Sequence, residues 1–165
     1  MLEPACESPY VKPMSRAFVK ETDAVDELPE KLVSAHRNLV TPEGLAMIEA
    51  EVARLQVELG EAQRAEERDA IQRVSRDLRY WNARLVTAEV QPAPGDLSEV
   101  SFGATVTFER NDGRVQIFRL VGEDEANPTK GTISYTSPLA QALMGKSVGD
   151  VVKAGGGEAE ITKIE

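Results

Sequence analysis

Apolar positions between Leu45 and Ala88 fall into two runs with helical spacing. The first is Leu45, Ile48, Val52, Leu55 and Leu59; the second is Ile71, Val74, Leu78, Trp81, Leu85 and Ala88. Both alternate steps of three and four, which leaves one narrow apolar seam per helix, as in a coiled coil. Residues 60–69 between them are polar, with Gly60 as the only breaker. The step from Leu59 to Ile71 is twelve residues, which loses the heptad phase, so one continuous helix is disfavoured. The pattern predicts an antiparallel hairpin over 39–90 with its tip near 62–68. Thr41-Pro42-Glu43-Gly44 is a helix start: Thr41 caps, Pro42 takes the first helical position, and Glu43 meets the positive end of the dipole. Pro92 and Pro94 are expected to stop the second arm.

After a linker at 91–100 the period changes to two. Residues 104–108 and 115–121 alternate around Asn111-Asp112-Gly113, a hairpin-turn signal. Further strands are expected at 132–135, 148–152 and 159–164, the last two around Gly155-Gly156-Gly157. Ser137 and Pro138 open a short helix that Gly145 ends. The expected fold class is α+β: a helical hairpin followed, over 101–165, by a small antiparallel sheet with one short helix.

Charge and composition narrow the function. A net charge of −9 argues against a general nucleic-acid binder, which needs a basic surface. Cys6 is the single cysteine and His36 the single histidine, so neither a disulfide framework nor a Cys/His metal site is available. No apolar run is long enough for a membrane span and no cleavable signal is evident, which makes the cytoplasm the expected compartment. Residues 1–38 read as a flexible tail, with Met14 a candidate translation start and Phe18 and Leu32 candidates for docking onto the body.

The strand region carries a resemblance. The entry Phe102-Gly103-Ala104-Thr105-Val106, the loop Arg119-Leu120-Val121-Gly122-Glu123-Asp124-Glu125-Ala126 and the stretch from Ser137 to Asp150 resemble the C-terminal domain of the Gre transcript cleavage factors, the GreA/GreB family. The stretch from Leu39 to Leu55 is similar to the start of that family's coiled coil. The resemblance covers about residues 39–165 and implies an FKBP-like C-terminal domain without isomerase activity. That domain would dock at the secondary-channel rim of core RNA polymerase, while the coiled coil reaches toward the catalytic centre. It also implies a monomer with no membrane attachment and no cofactor of its own, nascent RNA as a further contact, and Mg2+ shared with the polymerase.

The departure is at the tip. The family's Gly-Asp-x-x-Glu-Asn loop, whose acids assist magnesium and the attacking water, is absent, and the hairpin is about a dozen residues shorter than usual. Glu66, Glu67 and Asp69, with Glu61, are the acids that remain, diluted by Arg64 and Arg68; carboxylates suit magnesium, and a solvated helix turn is the competing reading. Gly95-Asp96-Leu97-Ser98-Glu99 copies the start of the missing loop but lies in the linker, where an acidic connection is the simpler reading. Arg73 and Arg76, with Arg79, are RNA-facing candidates, against pairing with the acidic first arm. Tyr80 and Trp81 are candidates for base stacking, against a core role for Trp81 on the seam. Asp124 and Glu125 are expected to be exposed docking acids that contribute little to folding, and Ser137 and Pro138 to share the polymerase contact. Two functions follow from the resemblance: an elongation regulator that modulates cleavage of backtracked RNA, or a non-catalytic regulator that competes with full-length factors at the channel entrance.

Overall fold

The computed structural model describes residues 28–165. The proposals for Cys6, Met14 and Phe18 lie outside the described residues. Leu32 is 94% exposed, so it does not dock onto the body.

Strand β1 (Leu39–Val40) leads into helix α1 (Pro42–Arg64). The Thr41 hydroxyl accepts from the Gly44 amide at 3.0 Å, the cap that the sequence predicts, with Pro42 and Glu43 in the first turn. Helix α2 (Arg68–Val86) returns antiparallel to α1. Ile48, Val52, Leu55 and Ala62 from α1 and Val74 from α2 are the buried seam residues, and each large one contributes roughly 1.5–3 kcal/mol by leaving water. Leu59, Ile71, Leu78, Trp81 and Leu85 are half-buried along the same line.

Two local expectations change. Gly60 does not break α1, which runs straight through it; one glycine costs about 1 kcal/mol in a helix interior, and the seam outweighs that. The reversal is made instead at Ala65–Glu67, where Glu66 takes φ 56°, a left-handed conformation unusual for a side-chain-bearing residue. Helix α2 ends at Val86, before Pro92 is reached. Thr87 turns the chain there, and strand β2 (Glu89–Val90) lies parallel to β1, pairing Leu39 with Glu89 and Val40 with Val90. This two-stranded clasp closes the base of the hairpin.

The remaining strands are β3 (Thr105–Arg110), β4 (Val115–Val121), β5 (Thr132–Ser134), β6 (Val151–Ala154) and β7 (Gly157–Ile164), in the spatial order β5-β4-β3-β7-β6. The pairs are antiparallel except at one edge, where β5 runs parallel to β4. An entirely antiparallel sheet is therefore corrected: the chain crosses over after β4 through a 3-10 turn at Pro128–Lys130 instead of folding back. The edge strand β6 starts at Val151, because Ser147–Asp150 is a turn in which the Asp150 carboxylate accepts from the Ser147 amide at 2.8 Å. Helix α3 (Pro138–Leu143) is capped as expected, Ser137 accepting from the Ala140 amide at 3.2 Å. Val106, Phe108, Leu120, Ile133, Leu143 and Ile161 centre one apolar core that helix and sheet share.

Candidate functional site

The tip presents Glu66, Glu67 and Asp69 to solvent, and all three are exposed. Their backbone closes the turn: the Glu67 amide donates to the Ala62 carbonyl at 3.0 Å and the Ile71 amide to the Glu67 carbonyl at 2.9 Å. Among the described residues no group of three or more His, Cys, Asp or Glu side chains is arranged to hold a metal ion. The acids named from sequence thus share the turn without converging. Magnesium needs near-octahedral oxygen ligation, and nothing at this tip supplies it alone.

The arginine edge is paired. Arg73 lies 3.4 Å from Glu58 of the opposite arm, and Arg54 at 2.7 Å from the same Glu58 adds an i,i+4 pair. Arg76 lies 2.9 Å from Asp77, and Arg79 meets Glu30 of the entering segment, with Nε 3.3 Å from Oε2. Arg73 thus pairs with the acidic first arm as the alternative has it, whereas the contacts of Arg76 and Arg79 are with Asp77 of their own helix and with Glu30 of the entering segment. Asp96 of the linker accepts from the Ser98 amide at 2.9 Å, which holds its carboxyl below the usual range and makes it a turn residue.

The expectation for the acidic loop is overturned in one respect. Asp124 and Glu125 are not exposed charges; they are the groups on which the hairpin rests. Arg84 of α2 is only 1% exposed, and its Nε donates to Asp124 Oδ2. The Tyr80 hydroxyl donates to the other Asp124 oxygen at 2.6 Å. Glu125 accepts from the Thr41 amide at 2.9 Å, from the Thr41 hydroxyl and from the Gly122 amide at 3.2 Å. Glu123 faces Arg84 Nη2 at 3.6 Å, which compensates a buried oxygen, Oε2, that has no hydrogen-bond partner. The physical reason is that a buried guanidinium demands carboxylates, and this loop supplies them.

Close approach makes this possible. A Cβ on Gly44 would stand 2.0 Å from the Glu125 carboxyl carbon, and one on Gly122 would stand 2.5 Å from the Leu39 carbonyl oxygen. Burial together with the hydrogen bond to Asp124 pushes the Tyr80 phenol up to about 12. Tyr80 therefore serves the junction, and its ring packs edge-on to Trp81 at 5.3 Å. Sequence reasoning missed Arg84, Asn38, Gly44 and Gly122. The available signal was Arg84 next to Leu85 of the seam, an arginine one step from a position that faces the partner helix.

Ser137 and Pro138 stand apart from this network. Pro138 is exposed at the start of α3 and Ser137 is half-buried by its capping bond.

The molecule is thus a two-helix hairpin, clasped at its base, set on a five-stranded sheet that carries one short helix. The family model described as "Transcription elongation factor, GreA/GreB, C-term" matches residues 94–165. That match falls on the stretch where the sequence carries its resemblance to the Gre factors. The transcription elongation factor GreA of Nitrobacter hamburgensis is 46% identical over 88 residues, which are 50% of this chain and 54% of that protein. GreB of Haemophilus ducreyi is 37% identical over 84 residues, 50% of this chain and 52% of that protein. The chain spans about half the length of the curated relatives it matches. A solved structure, GreA factor homolog 1 of Thermus thermophilus, is 22% identical, with 79% of this chain and 99% of that one covered at a TM-score of 0.38, too loose a superposition to carry an argument.

Proposed function

We propose that this chain is a transcription elongation regulator that docks on RNA polymerase through its sheet domain and presents the hairpin to the secondary channel. The observation that carries this reading is the match of residues 94–165 to the GreA/GreB C-terminal domain, with a helical hairpin directly before it. The working division is a hairpin at 39–90, a linker at 91–100 and a docking domain at 101–165, acting as a cytoplasmic monomer. The chain supplies no chemistry of its own in this account; any magnesium belongs to the polymerase active site, and nascent RNA is met only through the tip.

Between the two modes, the tip supports the non-catalytic one. Its acids are exposed and unassembled, and α1 at 23 residues is about 34 Å long at the helical rise. A cleavage-assisting carboxylate has to be held close to its working position. We therefore favour a regulator that occupies the channel entrance and competes with full-length Gre factors.

With Asp124 and Glu125 turned inward, Ser137 and Pro138 become the docking surface to test. Pro138→Asp keeps a residue suited to a helix start and places a charge in the proposed contact. Binding of the full chain to core polymerase should weaken about tenfold, roughly 1.4 kcal/mol, with the melting temperature unchanged. Unchanged affinity would move the docking surface elsewhere, and absence of binding by the parent chain would overturn the function.

A further inference from the structure

The segment that enters the hairpin, residues 28–38, makes contacts that the function above does not use. It runs beside α2 and then crosses to the sheet. Glu30 pairs with Arg79, and Lys31 Nζ lies 3.0 Å from Asp77 Oδ1 and 5.8 Å above the Tyr80 ring. Ser34 Oγ donates to Glu123 Oε1 at 3.0 Å, on the acidic loop of the sheet. The Tyr135 hydroxyl donates to the Arg37 carbonyl, while the Arg37 guanidinium pairs with Glu89 of the clasp. Asn38 Nδ2 donates to the Arg84 carbonyl at 2.6 Å, at the end of α2. One short segment therefore holds the hairpin at its upper end and both bodies at its lower end.

Its attachment to α2 is electrostatic rather than packed. A cleft of about 580 Å3 separates Leu28 and Pro29 from Ile71, Gln72 and Ser75. The Glu30 and Arg79 side chains are 61% and 58% exposed. Exposed pairs of this kind contribute about 0.2–1 kcal/mol each and weaken as salt shortens the screening length to a few ångströms. The Arg84–Asp124 junction is buried and resists such screening. The strap and the junction thus differ in the condition that releases them.

We propose that residues 30–34 form a salt-sensitive brace that narrows the range of angles the hairpin adopts against the sheet. Glu30, Lys31 and Ser34 are positioning residues: they fix the direction of the arm without touching any ligand. If the function proposed above holds, the brace sets the aim of the docked hairpin. The test uses no polymerase, so its failure and the failure of that reading are separate results.

Spin labels at Gln63→Cys on the tip and Lys153→Cys on β6, in a Cys6→Ser background, report the angle through pulsed dipolar distance measurements. At low salt the full chain should give one narrow distribution, and about 0.5 M NaCl should broaden it clearly. Glu30→Ala, Lys31→Ala and Ser34→Ala combined should give the broad distribution already at low salt. Glu30→Arg alone should also broaden it, and adding Arg79→Glu should restore the narrow distribution, which simple loss of stability would not do. A triple variant as narrow as its parent, or a parent whose distribution ignores salt, overturns the brace. If the triple variant does not fold, the salt series on the parent decides alone.

Discussion

At Asp124 a single carboxylate serves a phenol and a guanidinium drawn from the same helix, and both depend on its charge. The Arg84 side chain is 2% exposed and that of Asp124 10%. Removing one member of such a pair leaves the other buried without compensation, which costs about 3–5 kcal/mol. Asp124→Lys should therefore lower stability by that order in denaturant unfolding, whereas an exposed loop acid would change it by less than about 0.5 kcal/mol. Unfolding that matches the parent would mean that Arg84 finds another partner. Tyr80 gives a second handle. Its folded pKa of about 12 is above the usual value of 10, so the un-ionised phenol stabilises the folded state. That contribution is complete below pH 10 and is lost as pH rises through 12. Spectrophotometric titration should show a tyrosine ionising near 12 that disappears in Tyr80→Phe; a titration that is complete near 10 in the parent would contradict the buried bond.

At the scale of elements, the seams, the caps of α1 and α3 and the alternating strands were legible because each rests on local pattern. Leu45 to Leu59 and Ile71 to Ala88 carry their periodicity in the sequence, and Ser137-Pro138 carries its cap. The tip turn is legible from the lost heptad phase between Leu59 and Ile71, but its conformation is not: α1 continues through Gly60, and Glu66 bears the left-handed φ. Glu66→Gly should raise stability by about 0.5–1 kcal/mol, since glycine meets that conformation without strain; a loss on thermal melting would show that the Glu66 side chain contributes more than its backbone costs. The clasp of β1 and β2 and the parallel edge strand β5 were not legible, because both are pairings between segments distant in sequence. The same holds for the junction. An acidic loop read alone is a solvated turn, and only the fold brings a buried arginine to it.

At the scale of the molecule, the chain is a helical arm fixed to a packed sheet, and its parts differ in what they leave to function. The base is joined through buried charge, the sheet is packed on its own core, and the tip is exposed and sparsely organised. That distribution suits a protein whose arm occupies space more than it performs chemistry. The central claim is that this chain binds polymerase without promoting cleavage, and RNA shortening in a backtracked elongation complex tests it most directly. Added alone at saturating concentration, the chain should leave the transcript intact, and added to a full-length cleavage factor it should slow shortening in proportion to its excess. Robust shortening by the chain alone, abolished in the combined Glu66→Ala, Glu67→Ala and Asp69→Ala variant, would contradict the claim and return the tip acids to a catalytic role.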